Sequence, residues 1–443
     1  MKKIFFVIYL SCLTLITVRG QIITLAITNC NVITMKSDKI LKNQTILLSS
    51  DKILKILPAN KWTNKQVKKI DGKGLYIIPA LTDMHVHANS FNSENRWFFP
   101  IFLSYGITTL RFMSGDEGLL AWRDSVRNNQ LLAPDIHVAS QLIDGKPPVF
   151  GQYHLGPIAP NIDSVEFIVN DQMSKGYEFI KLYSRLEVPV YKKFLQVCNE
   201  KSIKVTGHIP VKLHKEEMLT NFTGEIEHLS GYGRLCSTID TISEKTQLKN
   251  YDYPMDIEGS QLVSNEKIKM VAKQTAKLNI WNCPTLVLDA LEADTLFCKN
   301  LPNTEIGKKI TPLLGWWNSS GYGTSKKMDK YRQFKREMIK ELNTQNSKLL
   351  AGTDCPNPWL VPGLSLHQEL QQLVLAGLTN YEALKTATVN PAIWFGGNYI
   401  KGTLDKGKQA DLIILTDNPL KDIKNTQKIK YVIYKGKVLD REK

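Results

Sequence analysis

What this sequence lacks narrows its function before any motif is considered. None of its seven cysteines falls in a Cys-x-x-Cys pair, which argues against a cysteine-ligated zinc site. No stretch beyond the N-terminal apolar segment is apolar enough to span a bilayer, so stable membrane insertion is not expected. Basic residues outnumber acidic ones, 57 to 42, yet the lysines are spread along the chain with no compact basic run interleaved with aromatics. That pattern favours a solvated basic surface over a nucleic-acid groove. Sequence repeats and low-complexity linkers are also missing. What remains is a chain of ordinary apolar content, 43%, long enough for one large domain and a small second module.

Residues 1–20 read as a signal peptide. Met1-Lys2-Lys3 is a basic start, residues 4–18 form an apolar stretch too short for a spanning helix, and Val18-Arg19-Gly20 precedes a cleavage point before Gln21. Cys12 raises the alternative of a lipidated N-terminus, but that would leave an apolar tail on the mature protein. The expectation is an exported protein, periplasmic or extracellular. Its formal charge falls from +15 to +12 when Lys2, Lys3 and Arg19 leave with the signal. Cys30, Cys198, Cys236, Cys283, Cys298 and Cys355 remain, and an oxidising compartment would allow one or two disulfides among them.

Both ends of the mature chain are β-rich. Residues 22–34, 45–48 and 53–57 are strand-like, with a turn at 49–52; residues 410–415 form another strand, and 431–439 read as a hairpin turning at Lys435-Gly436. These ends predict a small composite β-sandwich, built from residues 21–78 and 399–443, around an α/β middle at 79–398. In the middle, strand-like runs alternate with helical patterns. They fall at 77–87, 106–111, 135–140, 179–183, 203–208, 225–228, 280–286 and 349–354. Eight parallel strands with outer helices is the count of a (β/α)8 TIM barrel. Thr379-x-x-Glu382 reads as a capping box opening a later helix.

The first of these runs, Ile77-Ile78-Pro79-Ala80-Leu81-Thr82-Asp83-Met84-His85-Val86-His87, organises the rest. Alternate side chains of a strand share a face, so His85 and His87 point the same way and can both reach one divalent ion. Active sites of such barrels lie at the C-terminal strand ends. His85 and His87 end the first strand, Lys181 lies in the fourth, His208 ends the fifth, His228 the sixth and Asp354 the eighth. Any one alone is an ordinary core histidine, solvated carboxylate or snorkelling lysine. Six of ligand type at one rim are hard to explain by packing. Tyr183 and Arg185 share strand parity with Lys181, and Tyr232 falls four residues past His228. Either Arg185 or Tyr232 could take a substrate carboxylate; Arg185 reads equally well as a rim charge.

The chain resembles the amidohydrolase superfamily, and within it the imidazolonepropionase-like group with its Xaa-Pro and other Xaa-amino-acid dipeptidases. The resemblance rests on residues 79–87, Gly106-Ile107-Thr108-Thr109-Leu110-Arg111, Ile180-Lys181-Leu182-Tyr183, Gly207-His208-Ile209-Pro210, Ile226-Glu227-His228, Ala351-Gly352-Thr353-Asp354, Ala387-Thr388-Val389-Asn390-Pro391 and Gly407-Lys408-Gln409-Ala410-Asp411-Leu412. It implies two divalent metals, zinc by expectation. His85, His87 and Asp354 would hold one and His208 and His228 the other, with Lys181 carboxylated by carbon dioxide so that its carbamate bridges them. It further implies metal-activated hydroxide as nucleophile and Asp354 as the group that moves its proton to the leaving nitrogen. Many relatives carry a Gly-Gly-His substrate element in the loop after strand three, where this chain has Val149-Phe150-Gly151-Gln152-Tyr153-His154. His154 is the candidate there, and the departure makes substrate transfer unsafe.

The reading is an exported hydrolase of a C–N bond in a small molecule, such as a dipeptide or N-acyl amino acid. A cyclic-amide hydrolase like imidazolonepropionase, or a deaminase, is the alternative enzyme; Lys181 argues against the deaminase. A catalytically inactive small-molecule binding protein on the same scaffold is the alternative from another class. Side-chain preference and homo-oligomerisation stay open.

Overall fold

The computed structural model describes residues 22–63, 66–88, 96–215, 217–219, 224–238, 252–396 and 400–440. The proposed leader, with Cys12 and the cleavage point, lies outside them. Strands from both ends of the chain share one eight-stranded sheet. Its order is Lys437–Val438, Ile429–Tyr434, Leu412–Leu415, Tyr76–Pro79, Leu25–Ile33, Ile40–Ser49 and Lys52–Pro58, with Lys69–Asp71 also pairing Leu25–Ile33. The seam between the two ends is the antiparallel pair in which Ile413 faces Ile78. Leu25, Ile27, Val32, Ile46, Leu412 and Ile414 are among the apolar residues buried on this sheet.

The middle of the chain is a mixed α/β arrangement. Leu81–Val86, Ile107–Phe112 and Asp135–Val138 form one parallel sheet. Ile180–Leu182, Val205–Gly207, Glu225–Glu227, Trp281–Cys283 and Lys348–Leu349 form another. Parallel bridges between Ala139 and Phe179, and between Val86 and Cys355, join the edges of one sheet to those of the other. Every residue of Leu81–Val86 and of Ile107–Phe112 is buried, as expected of parallel strands covered on both faces. Helices follow the strands, and their apolar faces complete the main core.

The opening run does not form a single strand. Tyr76–Pro79 belongs to the terminal sheet and Leu81–Val86 to the parallel one. Proline has no N–H, so a hydrogen-bond ladder cannot continue through Pro79. Past it the partners change: the N–H of Ala80 donates to the Asp411 carbonyl at 3.0 Å and that of Leu81 to the Gly106 carbonyl at 2.9 Å. Gly106, at φ +76°, meets the same seam. A Cβ there would sit 2.4 Å from the Ile413 side chain, so glycine lets the two sheets approach. Disulfides are a second difference. All six described cysteines are free and buried, each as a small apolar filler in its own packing site. The capping box at Thr379 and Glu382 forms, as does the hairpin at Lys435-Gly436.

One stretch has no counterpart in the sequence reading. Between Trp281–Cys283 and Lys348–Leu349 the chain runs through helices Leu286–Ala293, Thr295–Asn300, Glu305–Lys309, Thr311–Ser320 and Lys326–Thr344. The indole N–H of Trp317 donates to the Pro356 carbonyl at 3.0 Å, and that of Trp359 to the Gly321 carbonyl at 2.7 Å. These bonds fasten the excursion to the loop after Lys348–Leu349.

Candidate active site

A cavity of about 660 Å³ opens at the C-terminal ends of the parallel strands. His85, His87, Lys181, His208, His228, Asp354 and Tyr183 all line it. The strand ends explain how. His85 lies inside Leu81–Val86 and His87 just past it, on the same face, and their Nε2 atoms stand 3.1 Å apart. Asp354 and His228 both follow strands at positive φ, +66° and +59°, which turns their side chains out of strand parity and into the cavity. Asp354 Oδ1 is 2.9 Å from His87 Nε2 and 3.3 Å from His85 Nε2, while Oδ2 is 4.0 Å from His228 Nε2. The rings of His208 and His228 stand 5.1 Å apart, centre to centre, and those of His85 and His228 4.6 Å.

Residues behind the histidines fix which nitrogen faces the cavity. His85 Nδ1 lies 2.6 Å from Glu227 Oε2. Burial would raise the Glu227 carboxyl, but the Arg111 guanidinium and the hydrogen bond with His85 outweigh that and hold it well below the usual range. Ionised Glu227 can only accept, so Nδ1 carries the proton and Nε2 offers its lone pair to the cavity. Glu227 is itself held by Thr206 Oγ1 at 2.5 Å and by the guanidinium of Arg111, which also binds Glu225 and donates to the Met84 carbonyl. His228 Nδ1 meets Thr285 Oγ1 at 2.7 Å, and His208 Nδ1 meets Ser184 Oγ at 3.2 Å. Asp83 accepts from the Thr353 hydroxyl at 2.7 Å and from its N–H at 3.0 Å, fixing the turn that delivers Asp354.

Charge in the cavity is arranged for a cation. Burial pushes the His85 imidazole down to about 4 and holds His228 well below its ordinary value, so both are neutral ligands near pH 7. Burial alone would raise the Asp354 carboxyl, but the imidazoles of His85, His228 and His87 around it, His87 through a hydrogen bond, outweigh that and keep it low. His85, His228 and Asp354 each offer an atom within 4.8 Å of the others, a grouping able to hold a metal ion. Lys181 is the exception to good pairing. Its Nζ is fully buried and makes no hydrogen bond. An unpaired buried ammonium is costly, and burial accordingly lowers its pKa. A lysine whose charged form is disfavoured and whose Nζ has no partner, among four histidines and a carboxylate, fits the two-metal, carbamate-bridged centre that the resemblance implies.

Three other candidates lie outside the cavity lining. Tyr232 is wholly buried in the core, its hydroxyl donating to Asn282 Oδ1 at 2.7 Å and meeting Thr275 Oγ1 at 3.1 Å. The helix Tyr232–Cys236 starts at once after Gly231 and carries that side chain into the core. Arg185 is half-buried, with its N–H bound to Asp144 Oδ1 at 2.7 Å. His154 follows the one-turn helix Gly151–Tyr153; Phe150 occupies the wall instead, stacked on Tyr183 with centroids 5.7 Å apart. The opposite wall comes from the helical excursion: Leu288, Glu292, Tyr331 and Lys335 line it, with Lys335 Nζ 2.7 Å from Asp289. Nothing in the sequence motifs marked those residues. Glu227 and Arg111 did leave a trace, as members of the stretches on which the family resemblance rests.

The architecture and this site define a hydrolase of the amidohydrolase kind. The sequence model of the Amidohydrolase family matches residues 76–439, and the chain belongs to that family, as a hydrolase acting on carbon–nitrogen bonds. None of the curated proteins matches the sequence. Among solved structures it is similar to a putative prolidase from Bifidobacterium longum, at 20% identity and TM-score 0.65 over 94% of this chain and 95% of that one. A Xaa-Pro dipeptidase with methionine bound in its active site matches at 16% identity and TM-score 0.67, over 94% and 99%. A bottromycin amidohydrolase matches at 19% and TM-score 0.72, over 94% and 87%.

Proposed function

We propose that the protein is an exported binuclear metallohydrolase, built on a (β/α)8 barrel with a composite β-sandwich, that cleaves the amide of a dipeptide or N-acyl amino acid. The observation that carries this reading is the partnerless Lys181 Nζ among His85, His87, His208, His228 and Asp354. His85, His87 and Asp354 would hold one zinc ion and His208 and His228 the other. The Lys181 amine would add to carbon dioxide, forming an N–C bond and releasing a proton, and its carbamate would serve as a ligand to both ions. When bound, such ions polarise the substrate carbonyl and make hydroxide available near neutral pH.

The chain's own residues supply the rest. Asp354, held ionised, takes the proton of the attacking water and, once protonated, gives it to the leaving nitrogen. Without that transfer an amide nitrogen leaves poorly. Glu227 and Thr285 keep Nε2 of His85 and His228 turned inward throughout. Phe150, Tyr183, Leu142 and Leu288 give the substrate an apolar wall and exclude water from the reacting centre.

The deciding experiment assays zinc-loaded protein against dipeptide and N-acyl amino acid libraries, alongside elemental analysis of protein purified without chelator. Amide turnover with about two metals per chain is expected; active protein reproducibly free of metal sinks the reading. Export rests on the leader-like N-terminus, and N-terminal sequencing of the natural protein should begin at Gln21 rather than Met1.

A further inference from the structure

Thr285 sits in an unusual position. It is the residue before the helix Leu286–Ala293, where a threonine ordinarily turns its hydroxyl onto the helix's first free N–H groups. Here it makes no such cap. Its backbone is left-handed, at φ 46° and ψ 49°, a conformation unfavourable for a β-branched residue, and its hydroxyl lies 2.7 Å from His228 Nδ1. The helix therefore needs its cap from elsewhere.

Glu369 provides it. This residue lies on the helix Leu364–Leu375, is wholly buried, and accepts the N–H of Val287 on Oε2 at 2.7 Å, with Leu286 N–H as a further donor. Its other oxygen, Oε1, has no partner. Burial pushes the carboxyl up to about 8, the mark of an acid kept in the interior against its own solvation. A core position occupied at such cost invites a functional explanation.

We propose that Glu369 is a positioning residue of the active site: by capping the helix in place of Thr285, it leaves the Thr285 hydroxyl to hold His228 with Nε2 facing the cavity. The inference rests on the metallohydrolase reading only in what His228 then does. The link Glu369–Val287–Thr285–His228 stands on the structure.

The test compares Thr285→Val, Glu369→Leu and their double variant in metal-free protein titrated with zinc against a chelator of known affinity. Outer partners of metal-binding histidines are typically worth about 10–100-fold in affinity, and each single variant should weaken one of the binding steps by about that much. The double variant should be no weaker than Glu369→Leu, because both changes cut one link. Glu369→Gln keeps an acceptor and should restore most of the affinity. If Glu369→Leu does not fold, Glu369→Asp, whose shorter arm withdraws the carboxyl group, takes its place with a smaller loss. A readout independent of metal is the NMR signal of the His228 ring nitrogens, whose Nδ1 proton should become labile in both Thr285→Val and Glu369→Leu. Losses that multiply in the double variant, or a Glu369 variant with lower melting temperature but unchanged zinc affinity and His228 signals, overturn the proposal. Wild-type protein that binds no zinc while its His228 signals still respond to Glu369 would instead sink the metallohydrolase reading alone.

Discussion

Two lysines are buried at opposite ends of the same strands, and their surroundings differ. Lys401 lies beneath the N-terminal ends. Its ammonium reaches Asp135 at 2.6 Å, Asp411 at 2.7 Å, the Thr109 hydroxyl at 3.0 Å and the Thr108 carbonyl at 3.1 Å. Every donor it has is used, and the terminal sheet is thereby pinned to the parallel strands. Lys181, in the cavity at the other end, is more deeply buried and has no hydrogen bond. A lysine that holds a fold together is paired; one left unpaired is waiting for chemistry. Burial disfavours the ammonium of both, and pairing offsets that cost only where partners exist.

The largest expected effect comes from removing the unpaired lysine. On the proposed two-metal reading, Lys181→Ala should bring turnover to background and lose one metal, with partial rescue by short carboxylic acids that would stand in for the carbamate. Lys181→Arg should fail equally, since a guanidinium stays protonated and cannot ligate. Wild-type rate and metal content in the Arg variant would break the comparison outright. Asp354→Asn should come next. It would keep an oxygen for the metals of the proposed centre but cannot take a proton, so amide turnover should fall about 10²–10⁴-fold. The fall should be smaller for an activated ester, whose leaving group departs unprotonated; equal falls at full metal occupancy would deny Asp354 that role.

Lys401→Met should do the reverse of Lys181→Ala. Leaving Asp135 and Asp411 without their shared cation should cost about 3–5 kcal/mol of stability, read as a lower denaturation midpoint, with turnover of the folded fraction unchanged. Acid should separate the two ends as well. The His85 imidazole is neutral in the folded protein down to about 4, whereas unfolded it charges below 6.5. The unfolded state thus binds more protons in that window, and metal-free protein should lose about 1.4 kcal/mol per pH unit from His85 between them. His228 acts in the same direction. Asp135, held low mainly by Lys401 against the effect of burial, contributes only at more acid pH, below 3.8. Urea midpoints from pH 7 to 4 should show this slope, and His85→Asn should flatten it.

Much of this contrast was legible in the sequence because strand periodicity carries direction. His-x-His on one strand predicts two rings on one face, and the Nε2 atoms do meet. The strand series placed Lys181, His208, His228 and Asp354 at one rim because each lies in or ends a strand, although His228 and Asp354 reach the cavity through positive φ rather than strand parity. What the sequence hid depends on packing between distant segments. Pro79 moved a strand boundary that apolar content alone ran through. The wall at Glu292, Tyr331 and Lys335 comes from helices whose sequence reads as ordinary amphipathic surface. Glu369 gave no signal at all, since an acid in a helix is common and only its burial marks it.

Tyr232 provides the smallest and finest test, because position in sequence made it a candidate for the cavity and packing placed it outside. Its hydroxyl serves Asn282 and Thr275 within the core. Tyr232→Phe removes that donor and leaves Asn282 Oδ1 without it, at a cost of about 1–3 kcal/mol in stability. Nothing the substrate touches changes, so kcat and KM should stay within about twofold of wild type, well inside the tenfold that 1.4 kcal/mol of lost binding would give. Tyr183→Phe, on the cavity wall, is the matched control: it should move KM with little effect on the denaturation midpoint. The comparison between paired core groups and cavity groups survives only if these two tyrosines part in that way. A tenfold rise in KM for Tyr232→Phe at unchanged stability would mean that the Tyr232 hydroxyl reaches the substrate in the working enzyme.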